Sequence, residues 1–310
     1  MPDISVIICT HNPRTDYLSR VLDALRAQTL PKAQWELLLV DNASQEALAR
    51  SWDLSWHPHA RHLRVDELGV VLARLRGIEE SRGELLVYVD DDNVLRSDYL
   101  ARALEIAEQF PFLGAWGGNV EGEFEHRVPD WLGPYLHHLA VRKVDRDYWS
   151  NYYMDNRSMP FGAGLCFRRR VAEAHLQAVS ARPAAKQLGR RGPSLVSGED
   201  IDLALTAYDS GLGTGMFQRL HITHLIPKAR MNIDYLCRLL EGIEYSNHLL
   251  RKQRNPAYRL PRDSRLGRWL RAYQVWRLPE PLRSLARAEN RGLARALAEI
   301  SESPICLPSA

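Results

Sequence analysis

No apolar run in the chain approaches the roughly 18 to 20 residues that a membrane-spanning helix needs. The longest candidates, ISVIIC and WELLLV, are strand-sized, so a membrane-spanning architecture is not expected. Cysteine is scarce too: Cys9, Cys166, Cys237 and Cys306 lie far apart and form no C-x-x-C pair. That argues against a zinc site and against a disulfide framework, and it fits a reducing cytosol. The opening MPDISVIIC carries an acid where a secretory signal has a positive segment, so no cleaved signal is expected. Glycine-rich phosphate loops are missing as well. The loop after the first apolar run reads CTHNPR, neither a G-x-G-x-x-G dinucleotide fingerprint nor a Walker A loop.

What is present is a globular composition: 310 residues, 45% of them hydrophobic, enough for one large domain or two small ones. The net charge of +3 hides an asymmetry. Positions 251 to 300 hold 13 Lys or Arg against 4 Asp or Glu, an excess of +9 that leaves the rest of the chain at −6. An acidic body and a basic tail are expected to do different work.

Short apolar runs at 4–9, 35–40, 62–65 and 84–89 alternate with segments of helical spacing, such as Leu18, Val21, Leu22 and Leu25, or Val71, Leu72, Leu75 and Ile78. This rhythm predicts an α/β fold with a mainly parallel sheet covered by helices, and ligands beyond the carboxyl ends of its strands. The strongest strands end in Thr10-His11-Asn12, Asp41-Asn42 and Asp90-Asp91-Asp92. Ser97 is read as the N-cap of a helix running to about Gln109. From Gly114 to Phe167 the chain turns rich in Trp, Tyr, Gly and Pro, which predicts short strands and long loops. Residues 186–198 read as a mobile loop. Past residue 231 the chain reads as helical: Leu266, Trp269, Leu270, Tyr273 and Trp276 share one arc, Arg265, Arg268 and Arg271 point away, and a second helix follows from about Leu282 to Ile300.

Three carboxylates where a buried strand ends call for a counter-charge, because two unit charges about 4 Å apart repel by about 4 kcal/mol at an effective dielectric near 20. A divalent cation that keeps some waters and bridges two phosphates supplies one, and it steadies a diphosphate leaving group. Taken alone, the triple aspartate equally suits a solvated turn that caps the next helix. Glu199, Asp200 and Asp202 equally suit a helix N-terminus, where they oppose the macrodipole.

The ordered motifs ISVIICTHN, LLLVDNAS, GVVLARLRGIEESRGELLVYVDDDN, PFGAGLCFRR, SGEDIDLALTAYDSGLG and HITHLIPKAR resemble the family-two glycosyltransferases, inverting enzymes of the GT-A fold that use nucleotide-diphosphate sugars. The likeness covers roughly residues 4 to 230. It implies a Rossmann-like, mixed but mainly parallel sheet flanked by helices, with a helical C-terminal extension. The organisation it suggests is a catalytic domain at 1–230, split into a nucleotide-binding half (1–120) and an acceptor-binding half (121–230), followed by a helical basic extension at 231–310.

By the same resemblance, Thr10, His11, Asn12 and Asp41 embrace the nucleotide base. A carboxylate accepting from a uracil imide suits a UDP-sugar. Asp90, Asp91 and Asp92 become the metal motif for Mn²⁺ or Mg²⁺, with Asp92 on the cation and Asp91 near the ribose; Arg74 faces the phosphates and His224 closes the metal site. Asp200 becomes the base that deprotonates an acceptor hydroxyl, with Glu199 beside it. Trp116 and Gly162-Ala163-Gly164 are candidates for the sugar pocket, and ordinary core packing is the competing role for Trp116. The chain departs from the family's usual pattern at Asn42-Ala43, where Asp-Gly is common, and at Leu75, where Asn is common.

The activity implied is metal-dependent, inverting sugar transfer to a hydroxyl of a glycan or lipid-linked acceptor in polysaccharide or glycoconjugate synthesis. The alternatives are a catalytically silent nucleotide-sugar or glycan-binding scaffold and a sugar-1-phosphate nucleotidyltransferase, although the latter should carry a glycine- and basic-rich first loop. The amphipathic basic tail suits either peripheral contact with the inner face of the cytoplasmic membrane or packing against the catalytic domain or a second copy, so an oligomer stays open. No nucleic-acid motif accompanies the charge.

Overall fold

A computed structural model describes residues 2–153, 155–261 and 264–302; Cys306 lies outside the described residues. The N-terminal half alternates as the periodicity predicts, through β1 (Ile4–Thr10), α1 (Thr15–Arg26), β2 (Trp35–Asn42), the single turn α2 (Leu48–Ser51), β3 (Ala60–Val65), α3 (Val70–Glu80) and β4 (Leu85–Asp90). Strands β3, β2, β1 and β4 lie side by side and all parallel. Their runs are continuously apolar because both faces are covered. On β1, Ile4, Val6 and Ile8 enter the core beneath α1, while Ile7 enters the one beneath α3, as the two-residue strand period requires.

The second half adds β5 (Asn93–Leu95), α4 (Tyr99–Gln109), β6 (Leu113–Phe124), β7 (Tyr148–Ser150), β8 (Cys166–Arg168), α5 (Arg169–Ala181), α6 (Glu199–Asp209) and β9 (Gly213–Ile226). It continues the sheet from β4 in the order β8, β6, β9 and β5, with β7 also paired to β9. Pairs β4–β8, β8–β6, β9–β5 and β9–β7 are antiparallel, whereas β6–β9 is parallel. The sheet is therefore mixed.

Two expectations are corrected. Helix α4 begins at Tyr99, after Asp98, with no side-chain cap; Ser97 is not its cap, and the Asp98 carboxylate takes Arg96 and Arg102 instead. The stretch from Gly114 to Phe167 opens with most of a 12-residue strand where only short ones were expected, although the three-residue β7 and β8 and the long connections around them fit the expectation. The glycines of the long strand mark close approach of a neighbouring strand, since a Cβ on Gly118 would lie 2.4 Å from Leu220.

Three helices complete the described chain: α7 (Ile233–Arg254), α8 (Arg265–Trp276) and α9 (Leu282–Glu302). Asn232 caps α7 through the Tyr235 amide at 2.8 Å. Helices α7 and α9 share a core of Leu236, Leu239, Leu240, Leu285 and Ala288 with Leu132, Leu139 and Ile226 from the sheet side. Among the described residues no helix is long and apolar enough to cross a membrane. The arginines of α8 and α9 meet across a furrow lined by Arg268, Arg271, Arg287 and Arg291. Among the described residues the apolar arc of α8 is left largely uncovered: Leu266, Trp269, Leu270, Tyr273 and Trp276 are all exposed.

At the end of β2, Ala43 adopts φ 54°, a left-handed conformation costing a Cβ-bearing residue about 1 to 2 kcal/mol. Replacing it by glycine removes that strain but returns roughly 0.4 to 1 kcal/mol of unfolded-chain entropy. Ala43→Gly is therefore expected to raise stability by about 0.5 to 1 kcal/mol, read as a shift in the urea midpoint; a loss of stability would contradict the assigned backbone geometry.

Candidate active site

Chain direction fixes where a site can form. After β1 the chain goes to β2 on one side, and its later return as β4 lands on the other, so the sheet order reverses between β1 and β4. A crevice opens beyond the carboxyl ends at such a point. A cleft of about 740 Å³ lies there. Its lining brings together Thr10 and His11 from β1, Asp90, Asp91 and Asp92 from β4, Arg74 from α3, Glu199 and Asp200 from α6, and His224 of β9 with Arg230 just beyond it.

Charge is balanced inside this cleft by arginine. The buried guanidinium of Arg74 bonds Asp90 at 2.9 Å through Nη2 and Glu199 through Nη1, and lies over the Tyr88 ring at 4.8 Å. Burial disfavours its charge, yet Glu199 and Asp90 more than compensate and raise its pKa. Burial pushes Glu199 upward, Arg74 opposes the shift and Asp200 adds to it. The amide of Gly162 donates to Asp200 Oδ2 at 2.7 Å. A Cβ on Gly162 would sit 3.1 Å from the Arg74 guanidinium and 3.2 Å from that same oxygen. The PFGAG turn thus closes over both charged groups because it has no side chain there.

Across the cleft, Thr10 donates its hydroxyl to Asp91. Burial and the neighbouring Asp92 charge push Asp91 up. Asp92 is also buried, but His224 and Arg230 hold it below the usual carboxylate range. Arg230 Nη1 lies 2.9 Å from Asp92 Oδ2 and 3.2 Å from His224 Nε2. His224 Nδ1 bonds the Leu139 carbonyl at 2.9 Å, the arrangement by which a backbone partner fixes a ligating histidine, and its Nε2 lies 3.4 Å from Asp92 Oδ2. Among the described residues no three His, Cys, Asp or Glu side chains are gathered into a cation cage. Mg²⁺ and its like are held by one or two carboxylates together with substrate phosphates and water. Asp92 and His224 supply a donor set of that kind, beside an Asp91 in need of positive charge.

Not every anticipated residue faces the cleft. Asp41 is 3% exposed; its carboxylate accepts from the Ser44 amide at 2.9 Å, the Leu48 amide at 3.2 Å and Arg64 at 2.6 Å. It organises the turn into α2 and is not among the residues that line the cleft. Asn12 likewise serves the loop, its Oδ1 accepting from the Gln45 amide. Asn42 lines the cleft and holds the approach to α3, bonding the Glu67 carbonyl and the Gly69 amide at 2.8 Å each. Gly162 and Ala163 line the cleft, whereas Gly164 gives its carbonyl to Tyr99. Trp116 is wholly buried in the core, so packing is its role. Cys9 reaches the cleft, but burial pushes its thiol up to about 12, which leaves it protonated and a poor nucleophile.

Several lining residues went unread in the sequence. Arg230 closes the quoted HITHLIPKAR, and Arg190 lies in the irregular segment before α6. His137 and His138 come from a 3₁₀ segment, Asp130–Leu139. Tyr235, Leu239 and Ile243 come from α7, a helix whose far end is tied to α6 where Arg254 bonds the buried Asp202 at 2.5 Å. Basic or aromatic character was the one signal available for Arg190, Arg230, His137, His138 and Tyr235, and the aliphatic Leu239 and Ile243 carried none.

An α/β sheet with this switch point and an acid-rich cleft is the architecture shared by glycosyltransferases of the GT-A fold. The model of the family described as "Glycosyl transferase family 2" matches residues 5–173, and the chain belongs to that family. It is 32% identical over 124 residues to glycosyltransferase AglE of Haloferax volcanii, a stretch covering 39% of this chain and only 40% of that protein. Among solved structures, mannosyltransferase PcManGT from Pyrobaculum calidifontis, in complex with GDP-Man and Mn²⁺, superposes with a TM-score of 0.57 at 16% identity, covering 96% of this chain and 87% of that one. Residues 1–349 of S. aureus TarS, in complex with UDP-GlcNAc, give 0.52 at 14% identity, covering 97% and 91%.

Arg74→Met leaves Glu199 and Asp90 facing each other without their shared cation, a loss of about 3 kcal/mol for a buried pair broken on one side. Glu199 is then pushed up further, so the native state keeps a proton that the unfolded chain releases, and stability falls as pH rises. The deficit against the parent protein is expected to be smaller at pH 5 than at pH 8, measured by urea unfolding; a pH-independent deficit would point to lost packing instead.

Proposed function

We propose that the protein is a metal-dependent, inverting glycosyltransferase. It moves a sugar from a nucleotide-diphosphate donor, a UDP-sugar in our reading, to a hydroxyl of a glycan or lipid-linked acceptor in polysaccharide or glycoconjugate synthesis. The observation that carries this is the meeting of the β4 aspartates with Glu199-Asp200 in one cleft at the β1–β4 switch point. The TarS complex supports a uridine donor and the PcManGT complex a divalent cation, while the guanosine of the latter makes GDP the control nucleotide.

In this reading residues 1–120 hold the nucleotide and 121–230 the acceptor, with α7 of the 231–310 extension adding a wall to the acceptor side. Asp92 and His224 hold Mn²⁺ or Mg²⁺, which when bound neutralises charge on the departing diphosphate. Arg230, displaced from Asp92, gains the phosphates as its new partner. Thr10 and His11 take the nucleoside end, and Asp91 faces the ribose. Because Asp41 and Asn12 are committed to the loop, the base is read by His11 and Asn42. Arg74 fixes Glu199 and Asp90 in place, so its contribution is to position the acids rather than to bind phosphate. Among the described residues Asp200 accepts backbone N–H bonds alone, from Gly162 and from Ile201 at 2.9 Å, and keeps lone pairs for a substrate proton. As the acceptor oxygen bonds to the anomeric carbon, its proton passes to Asp200. The bond from that carbon to the diphosphate breaks on the opposite face, which inverts the centre.

Thermal-shift titration with UDP, GDP and their sugars, with and without Mn²⁺, names the donor, since ligands of the native state raise its apparent stability. Asp92→Ala is expected to abolish the Mn²⁺-dependent part of the UDP shift; retention of that part removes Asp92 from the metal. Asp200→Asn is expected to leave donor binding intact while transfer falls by at least about 100-fold, and near-normal turnover would assign the base elsewhere.

A further inference from the structure

Helix α8 turns a mixed side to α9, where Arg268, Arg271, Ala272, Val275 and an edge of Trp276 line the furrow. Leu266, Trp269 and Trp276 are nonetheless 67, 62 and 65% exposed, and Leu270 and Tyr273 stand with them. The aromatic rings form a continuous strip: Trp269 and Tyr273 stack at 5.8 Å, and Tyr273 and Trp276 at 6.2 Å. A helix that turns five large apolar side chains to solvent needs a cover, because contiguous apolar surface of this kind marks an interaction site.

Charge selects the occupant. The strip lies in the segment with an excess of +9 over residues 251–300, so a second copy docked here would bring two such segments together. The helix is 12 residues long, about 18 Å at 1.5 Å per residue, and one strip of that length falls short of the roughly 800 Å² per partner of a stable protein interface. Nucleic acid would match the charge but not an apolar face. A bilayer with anionic headgroups matches both, since Trp and Tyr settle at the headgroup level and the surface potential attracts the segment's excess of positive charge as a whole.

We propose that α8 is an interfacial helix whose Leu266–Trp276 strip lies in the headgroup region of an anionic membrane. Helix α8 touches α9, and α9 packs along α7, the helix that lines the cleft. Docking therefore holds the cleft wall two helices from the lipid surface, where a lipid-linked acceptor presents its hydroxyl. This rests on the transferase reading for its purpose, but its test stands apart.

The full-length protein is sedimented with vesicles of phosphatidylglycerol and phosphatidylcholine, and with vesicles of phosphatidylcholine alone. Binding to the anionic vesicles is expected, with a blue shift of tryptophan emission, weakening at high salt and at least about tenfold weaker partition for Trp269→Ser/Trp276→Ser. The double variant should keep the parent's melting temperature and UDP shift. Absence of binding to anionic vesicles, equal binding by the variant, or a dimer that the double variant dissolves would each overturn the proposal. An intact UDP and Mn²⁺ shift in such a case would leave the transferase reading standing.

Discussion

The pairing of one buried guanidinium with two carboxylates governs the arrangement of this cleft. Asp90, Asp91, Asp92, Glu199 and Asp200 all border it, and burial raises the cost of every unpaired charge among them. Arg74 joins the β4 tip to the start of α6 by bonding Asp90 and Glu199 together. Arg230 performs the same service for Asp92 from the far side. The acidic residues can be close because these arginines lie between them, and Asp91, which Thr10 alone bonds among the described side chains, is the acid that burial and Asp92 push up.

The fold supplies the positions that this balance needs. Parallel strands β1 and β4 deliver Thr10 and the aspartates to one edge, and the antiparallel return through β8 brings the Gly162 turn over Asp200. Helix α6 starts at Glu199, so the acids that oppose its dipole are also those exposed to the cleft. The acidic triplet divides. Asp202 is turned inward onto Arg254 and Arg182, and so fixes α7 against α6, while its neighbours Glu199 and Asp200 line the cleft.

Much of this was legible in the chain. The alternation of apolar runs and helical spacing, the polar strand ends and the order of the motifs led to the sheet and to most of the cleft. The reading failed where local composition was ambiguous. Glycines at 117 and 118 suggested loops, yet they serve a long strand that another backbone approaches closely. Local composition was equally silent on Asp41, which ends a strong strand like the other acids and whose three local donors, Ser44, Leu48 and Arg64, only the fold brings to its carboxylate. Nothing in the amphipathic pattern of residues 265–276 revealed that its apolar side would remain uncovered.

The sequence by itself determined where strands and helices form, because side-chain period and backbone preference act over a few residues, and it determined which carboxylates arrive at strand ends. Tertiary structure alone decided which of them share a counter-charge. Arg74 and Glu199 are 125 residues apart and Arg230 and Asp92 are 138 apart. Such pairs are selected by Coulomb attraction within a low-dielectric cleft that exists only once the sheet has assembled.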